Sequence, residues 1–231
     1  MKNIENAMRF YLLATDLKYQ IRAHCDERHW KISEENRERT AAHVYGACII
    51  ANCLVDEFDL DIDRDKVTYM LLYHELGETI IKDISPFDGV SPEKKKELEH
   101  EAWKEMLGES YEDNWIYKLF IEFDEHETNE AKFAFLCDKI EADIQAKVYQ
   151  DKGQQHDLND QENNIVLRSN KILKIIENGA RTVFDVWYES DKSLYENDPV
   201  FKEVLEYVRC NSMDITPEKD RIKAKIGISN K

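Results

Sequence analysis

The sequence predicts an all-α fold, and three observations carry that expectation. Glycine and proline are scarce, 7 and 4 in 231 residues, too few for the turn punctuation of an all-β chain. The long stretches between them are rich in helix formers, with apolar residues at helical spacing. Several of those stretches also open with helix-start chemistry, most clearly Ser91-Pro92 followed by acid, and Thr128-Asn129.

The elements follow in order. Residues 2–25 place Ile4, Met8, Tyr11, Leu12 and Leu17 at helical spacing. The polar stretch "HWKISEENRERT" reads as a loop leading into a helix over about 38–57, whose "AAHVYGACIIANCLV" is apolar on more than one side, as in a central buried helix. "DLDIDRD" offers N-cap aspartates for a helix over about 65–81. Helices are expected from Ser91, over about 113–125, and from Thr128 onward through "EAKFAFLCDKIEADIQAKVYQ". The polar "DKGQQHDLNDQ" at about 151–161 divides a core of residues 1–150 from a helical C-terminal extension, 151–231. The terminal "TPEKDRIKAKIGISNK" has little apolar content and is expected to be loosely attached.

Composition narrows the function classes. A formal charge of −16 opposes binding to duplex nucleic acid, which depends on neutralising phosphates with Lys and Arg. It leaves room for a small anionic ligand, because a metal ion reverses the local field. The five cysteines, Cys25, Cys48, Cys53, Cys137 and Cys210, form no C-x-x-C pair and read as reduced thiols. The N-terminus lacks signal-peptide features, and no apolar run approaches the ~20 residues that span a bilayer. A cytoplasmic protein is expected, with no membrane partner.

Chemistry concentrates around "YHELGETIIKDISPFD", residues 73–88. His74-Glu75-Leu76-Gly77-Glu78 has the shape of a zinc-protease H-E-x-x-H with glutamate at the second histidine, and nothing else in the chain repairs that absence. His43 and His74 each sit in an apolar stretch, where an imidazole must be hydrogen-bonded or metal-bound to offset burial. Alone, either would be read as a satisfied core histidine. With Glu75 beside one of them and Asp138 inside the apolar "AFLCDKI", they make a mixed N/O set from three helices that suits one divalent transition metal. Glu78, one turn beyond His74, places a carboxylate where a metal-activated water would need a proton acceptor. Asp83 closes the stretch, where it could receive a substrate hydroxyl.

The order His43 … His74-Glu75 … Asp138 resembles the H…HD…D signature of the HD-domain phosphohydrolases, with Glu for the usual Asp. "HELGETIIKDISPFD" is similar to the H-D-x-x-E-x-x-x-G-D-I-x-P-x-D stretch of the 5′-deoxynucleotidase branch, and the likeness runs from about Arg28 to Gln150. The resemblance implies an HD-domain helical bundle with additional C-terminal helices that removes the 5′-phosphate of deoxyribonucleoside monophosphates. It implies His43, His74, Glu75 and Asp138 as ligands of one divalent ion (Mn, Co, Ni, Fe or Zn), with Glu78 activating water and Asp83 holding the sugar or the attacking water. Arg28 would take the family's phosphate-binding arginine role, Trp30 would lie against the deoxyribose, and Glu122 would supply the pocket's acidic residue. The implied partner is a small-molecule nucleotide; the sequence leaves the oligomeric state open, with a homodimer among the assemblies it allows.

The chain departs from the family pattern at Glu75, at Ala42 where an acid usually precedes the histidine, and at Lys82 in place of the glycine of G-D. Two other readings stand beside the nucleotidase: a deoxynucleoside triphosphohydrolase, and a degenerate member that binds metal or nucleotide without turnover.

Overall fold

The computed structural model describes residues 4–23, 31–85, 89–109, 111–160 and 166–228. Among these the chain is helical; an isolated antiparallel bridge joins Ile21 to Arg39, and no strand forms. The all-α expectation holds.

Helix α1, Ile4–Ala14, runs into a 3₁₀ turn at Thr15–Lys18 rather than continuing to residue 25. Its apolar residues Ile4, Met8, Tyr11 and Leu12 face solvent, while Phe10, Leu13 and Ala14 pack inward with the buried Leu17. Helix α2, Thr40–Glu57, is the expected central helix, burying Thr40, His43, Val44, Ala47, Ala51 and Leu54.

The expected single helix over 65–81 is divided. Helix α3, Arg64–Tyr73, starts at Asp63, whose side chain accepts from the Lys66 N–H, and α4 is the short Glu78–Ile81. Between them the backbone tightens to i→i−3 bonds, Leu76 N to Tyr73 O at 3.1 Å and Glu78 N to Glu75 O at 3.0 Å. Such a turn brings residues three apart onto one side, so Glu75 and Glu78 look the same way.

Helix α5, Pro92–Leu107, is capped by Ser91 as expected. Helix α6, Trp115–Glu125, is capped by Asn114, and α7, Asn129–Asp151, by Thr128. Four further helices follow: α8 Asn170–Glu177, α9 Val183–Asp191, α10 Pro199–Cys210 and α11 Thr216–Lys225. The C-terminal tail expected to be loose forms α11, but it buries no residue.

The main core joins α2, α3 and α7 through Ala47, Ala51, Leu54, Val67, Met70, Leu71, Ala134, Cys137 and Ile140. Alanines on α2 and α7 let these helices approach closely. Phe184, Tyr188, Phe201, Leu205 and Val208 of α9 and α10 enter the same core. A second cluster, Trp103, Met106, Ile116, Tyr117 and Phe120 with Leu17 and Leu76, lies under α5 and α6. The stretch carrying the histidine-glutamate pair is thus pinned on both sides, by Met70 and Leu71 in one core and Leu76 in the other, each burial worth ~1.5–3 kcal/mol. That pinning fixes where His74 and Glu75 point. Of the described cysteines, Cys137 is buried and Cys48 half-buried, while Cys53 and Cys210 are exposed.

Candidate metal centre and active site

Helices α2 and α7 and the turn that follows α3 meet, and each brings a polar residue into the apolar interior. His43, His74, Glu75 and Asp138 are all buried there, and one donor atom from each lies within 4.8 Å of the others. His43 Nε2 is 2.8 Å from Asp138 Oδ1, and His74 Nε2 is 3.3 Å from the same oxygen. Glu75 Oε1 lies 3.5 Å from His74 Nε2 and 3.7 Å from His43 Nε2. Ligands on one ion at ~2.0–2.2 Å would be separated by at most roughly 4.4 Å, so small side-chain rotations close the set. Two imidazoles and two carboxylates converging inside a core fit a divalent transition ion. The outer nitrogens are also engaged: His74 Nδ1 is 2.7 Å from the Leu71 carbonyl, to which it can donate, and His43 Nδ1 is 2.5 Å from Glu141 Oε2.

Glu78 stands beside this set, 1% exposed. Its Oε1 accepts from Lys95 Nζ of α5 at 3.2 Å, and its Oε2 has no hydrogen-bond partner among the described residues. Burial raises its proton affinity above the usual carboxylate range, reinforced by the charges of Glu75 and Asp83 and opposed by Arg22 and Lys95. A buried carboxylate with a raised proton affinity and an unpartnered oxygen is suited to accept a proton.

The cation that faces these acids is Arg22, which the sequence reading did not select. The extended segment after α1 carries it over the site. Its Nη1 lies 2.5 Å from Glu75 Oε1, 3.3 Å from Asp83 Oδ2 and 3.9 Å from Glu78 Oε2. Asp83 also accepts from the Ala23 N–H at 2.9 Å, and Arg22 N donates to Glu38 O at 3.1 Å. The Gln20 amide, oriented to satisfy both neighbours, donates to Glu78 O at 3.0 Å and accepts from Asp83 N at 2.7 Å. Asp83 therefore fastens the segment that delivers Arg22. Burial alone would raise Glu75, but the Arg22 guanidinium, with the His74 and His43 imidazoles, outweighs it and holds the carboxyl well below its usual range.

Other expected site residues are placed differently. Glu122 pairs with Lys66 at 2.6 Å and accepts from Thr128 at 2.7 Å, in the α3–α6 cleft, and does not join the four-residue cluster. Phe123, the next residue on α6, packs its ring 5.0 Å from His74. Arg28 and Trp30, with Pro86 and Asp88, lie outside the described residues.

Comparison with known proteins gives the same picture from outside the structure. A family model described as an HD domain matches residues 14–178, well over half the chain and past the loop at 151–161. The chain belongs to the HD-domain family. Within it, this HD domain is similar to 5′-deoxynucleotidase HDDC2 of Dictyostelium discoideum, 34% identical over 141 residues, which is 57% of this chain and 70% of that protein. The human 5′-deoxynucleotidase HDDC2 is 30% identical over 116 residues, 49% of this chain and 55% of its own length. The chain thus spans little more than half of the human relative. Among solved structures, the PH0347 protein of Pyrococcus horikoshii shares the fold with a TM-score of 0.60 at 20% identity, covering 87% of this chain and 97% of that one. No helix among the described residues is long and apolar enough to cross a membrane.

Proposed function

We propose that this HD domain removes the 5′-phosphate from deoxyribonucleoside monophosphates, with His43, His74, Glu75 and Asp138 holding one divalent transition ion. The observation that carries the reading is Glu78, a buried carboxylate whose Oε2 has no hydrogen-bond partner among the described residues, set beside a four-residue donor cluster and between two cations. The similarity to 5′-deoxynucleotidases at 30–34% identity supports the substrate class.

When bound, the ion would polarise a phosphoryl oxygen and lower the pKa of water. The chain's own residues supply the rest. Arg22, anchored by Asp83 and Glu75, presents a guanidinium to the phosphate dianion and takes the role expected of Arg28. Lys95, reaching from α5, is a second cation on the far side of Glu78. Glu78 Oε2 takes the proton of the attacking water. Asp83 acts through the backbone of Ala23 and the side chain of Arg22, setting where the phosphate rests. Two cations facing Glu78 match a monophosphate better than a triphosphate, which needs more positive groups to clamp it.

The test is phosphate release from deoxy- and ribonucleoside 5′-mono- and triphosphates, with manganese, cobalt, nickel, magnesium and zinc added in turn. Deoxynucleoside monophosphates are expected to be hydrolysed. Glu78→Gln should keep the ion and lose roughly 10²- to 10⁴-fold in rate, the range for a general base. If no nucleotide releases phosphate with any ion, the enzymatic reading falls.

A further inference from the structure

Resting on the metal reading above, we propose that Glu141 is a positioning residue for the ligand His43, and that Gly46 is glycine in order to admit the Glu141 carboxylate.

His43 is 0% exposed, so both its nitrogens must find partners within the protein. Nε2 faces the donor cluster at Asp138, and Nδ1 faces Glu141 at 2.5 Å on the other side of the ring. A neutral imidazole carries one proton, and a nitrogen that gives its lone pair to a cation cannot hold it. The proton must then sit on Nδ1. Glu141 is the acceptor that keeps it there, turning the Nε2 lone pair toward the cluster. His74 has the analogous arrangement with the Leu71 carbonyl. The carboxylate differs in carrying a full negative charge, which makes the imidazole a stronger donor.

Two sequence positions make this contact possible. Asp138 and Glu141 are three apart on α7 and share a face, so one helix supplies both a ligand and the support for a ligand on α2. Gly46 is three residues beyond His43 on α2, also facing α7. A Cβ built on Gly46 would fall inside van der Waals contact with Oε1 and the carboxyl carbon of Glu141. Glycine disfavours a helix interior, and here the space it leaves is filled by the carboxylate that holds His43.

The experiment measures cobalt(II) affinity of the metal-free, folded full chain by competition with a chromophoric chelator. Folding of each variant is checked by its thermal melt. Glu141→Gln keeps the size and one acceptor oxygen but removes the charge, and is expected to weaken cobalt binding about tenfold. Gly46→Ala keeps every charge but displaces the carboxylate; its expected loss is roughly 10- to 100-fold, the range for removing support from a ligating histidine. In the zinc-loaded protein the Nδ1 proton of His43 should give a downfield imidazole N–H resonance that Gly46→Ala shifts or broadens. A merely structural Glu141 would lower the melting temperature and leave the affinity of the folded fraction unchanged. Cobalt affinity within twofold of wild type in both Glu141→Gln and Gly46→Ala overturns the proposal. His74→Ala, measured alongside, separates the two readings. If it also binds cobalt like wild type, the metal site itself is wrong; if it loses cobalt while the other two do not, only the role of Glu141 is wrong.

Discussion

Helix α7 buries polar residues on two stretches, and they are satisfied in opposite ways. Toward its C-terminal half, Lys147 is paired with Asp151 at 2.5 Å, Asp151 also accepts from the Met213 N–H, and Asp143 accepts from the Tyr195 hydroxyl at 2.6 Å. These contacts tie α7 to the C-terminal helices. Near its middle, Asp138 and Glu141 join Glu75, Glu78 and Asp83 around the two histidines. Among the described residues the cations set against those five carboxylates are Arg22, Lys95 and Lys139. The first stretch is tied to partners within the fold; the second gathers five carboxylates at one point against Arg22, Lys95 and Lys139, which is expensive inside the protein unless a further cation, a proton on His43 or a metal ion, joins them. Buried polar groups tied to neighbouring helices hold the fold, and carboxylates gathered around two histidines mark the site.

The sharpest way to break this contrast is to remove one carboxylate from each end. Asp138→Asn should weaken metal binding more than a hundredfold, because a ligand is lost and an amide is a poor partner for a dication. Asp143→Asn should leave metal affinity unchanged and destabilise the fold by about 1.5–3 kcal/mol, the worth of a hydrogen bond to a charged group. Chelator competition and urea denaturation on both variants give a crossed pattern. If both lower metal affinity alike, or neither does, the two ends do not differ as described.

A pH series makes the contrast quantitative. In the metal-free protein, burial and Arg22 press the His43 imidazolium down, but hydrogen bonds to Asp138 and Glu141 outweigh them and raise its pKa to about 9. The unfolded value is about 6.5. A raised folded pKa means the contribution is fully present below about pH 6.5 and is lost as pH rises through about 9. Metal-free stability should therefore fall across that window, by roughly 3 kcal/mol at most. Metal affinity should rise over the same window, because the ion competes with the proton on His43. Denaturant midpoints from pH 6 to 9.5, with and without zinc, check both signs; a metal-free protein that gains stability with rising pH would contradict the assignment.

His43, His74 and Asp138 are legible in the sequence because a histidine or aspartate inside an apolar stretch breaks the pattern around it, and Glu75 follows from its place beside His74. The rest was hidden for identifiable reasons. Arg22 reaches the site from an extended segment held by Asp83, 60 residues away or more, and nothing local separates it from Arg28. The resemblance implies Glu122 as the pocket's acidic residue, but successive helical residues are about 100° apart. It is Phe123 that faces His74, while Glu122 faces Lys66. The break at His74–Gly77 leaves only a lone glycine as its trace. Glu141 was the residue that could have been found, since it repeats the acidic break in the apolar pattern three positions after Asp138.

The smallest expected effect lies at the edge of the site. Lys82 ends α4 with φ +67° and ψ 168°, a conformation that favours glycine, and it occupies the position where the family pattern has glycine. Lys82→Gly should stabilise the protein by about 1 kcal/mol, with metal affinity unchanged. A thermal melt decides the sign, and a destabilised variant would mean that the lysine side chain holds this turn.

The most direct measurement is the number of divalent ions bound per chain, by equilibrium dialysis against cobalt(II) followed by elemental analysis, for wild type, His74→Ala and Asp143→Asn. One ion in wild type and in Asp143→Asn, with none in His74→Ala, is the result expected if the carboxylates gathered around Asp138 form a metal site and the Asp143 contact serves only the fold. Equal metal content in all three proteins, or no ion in wild type, would contradict it.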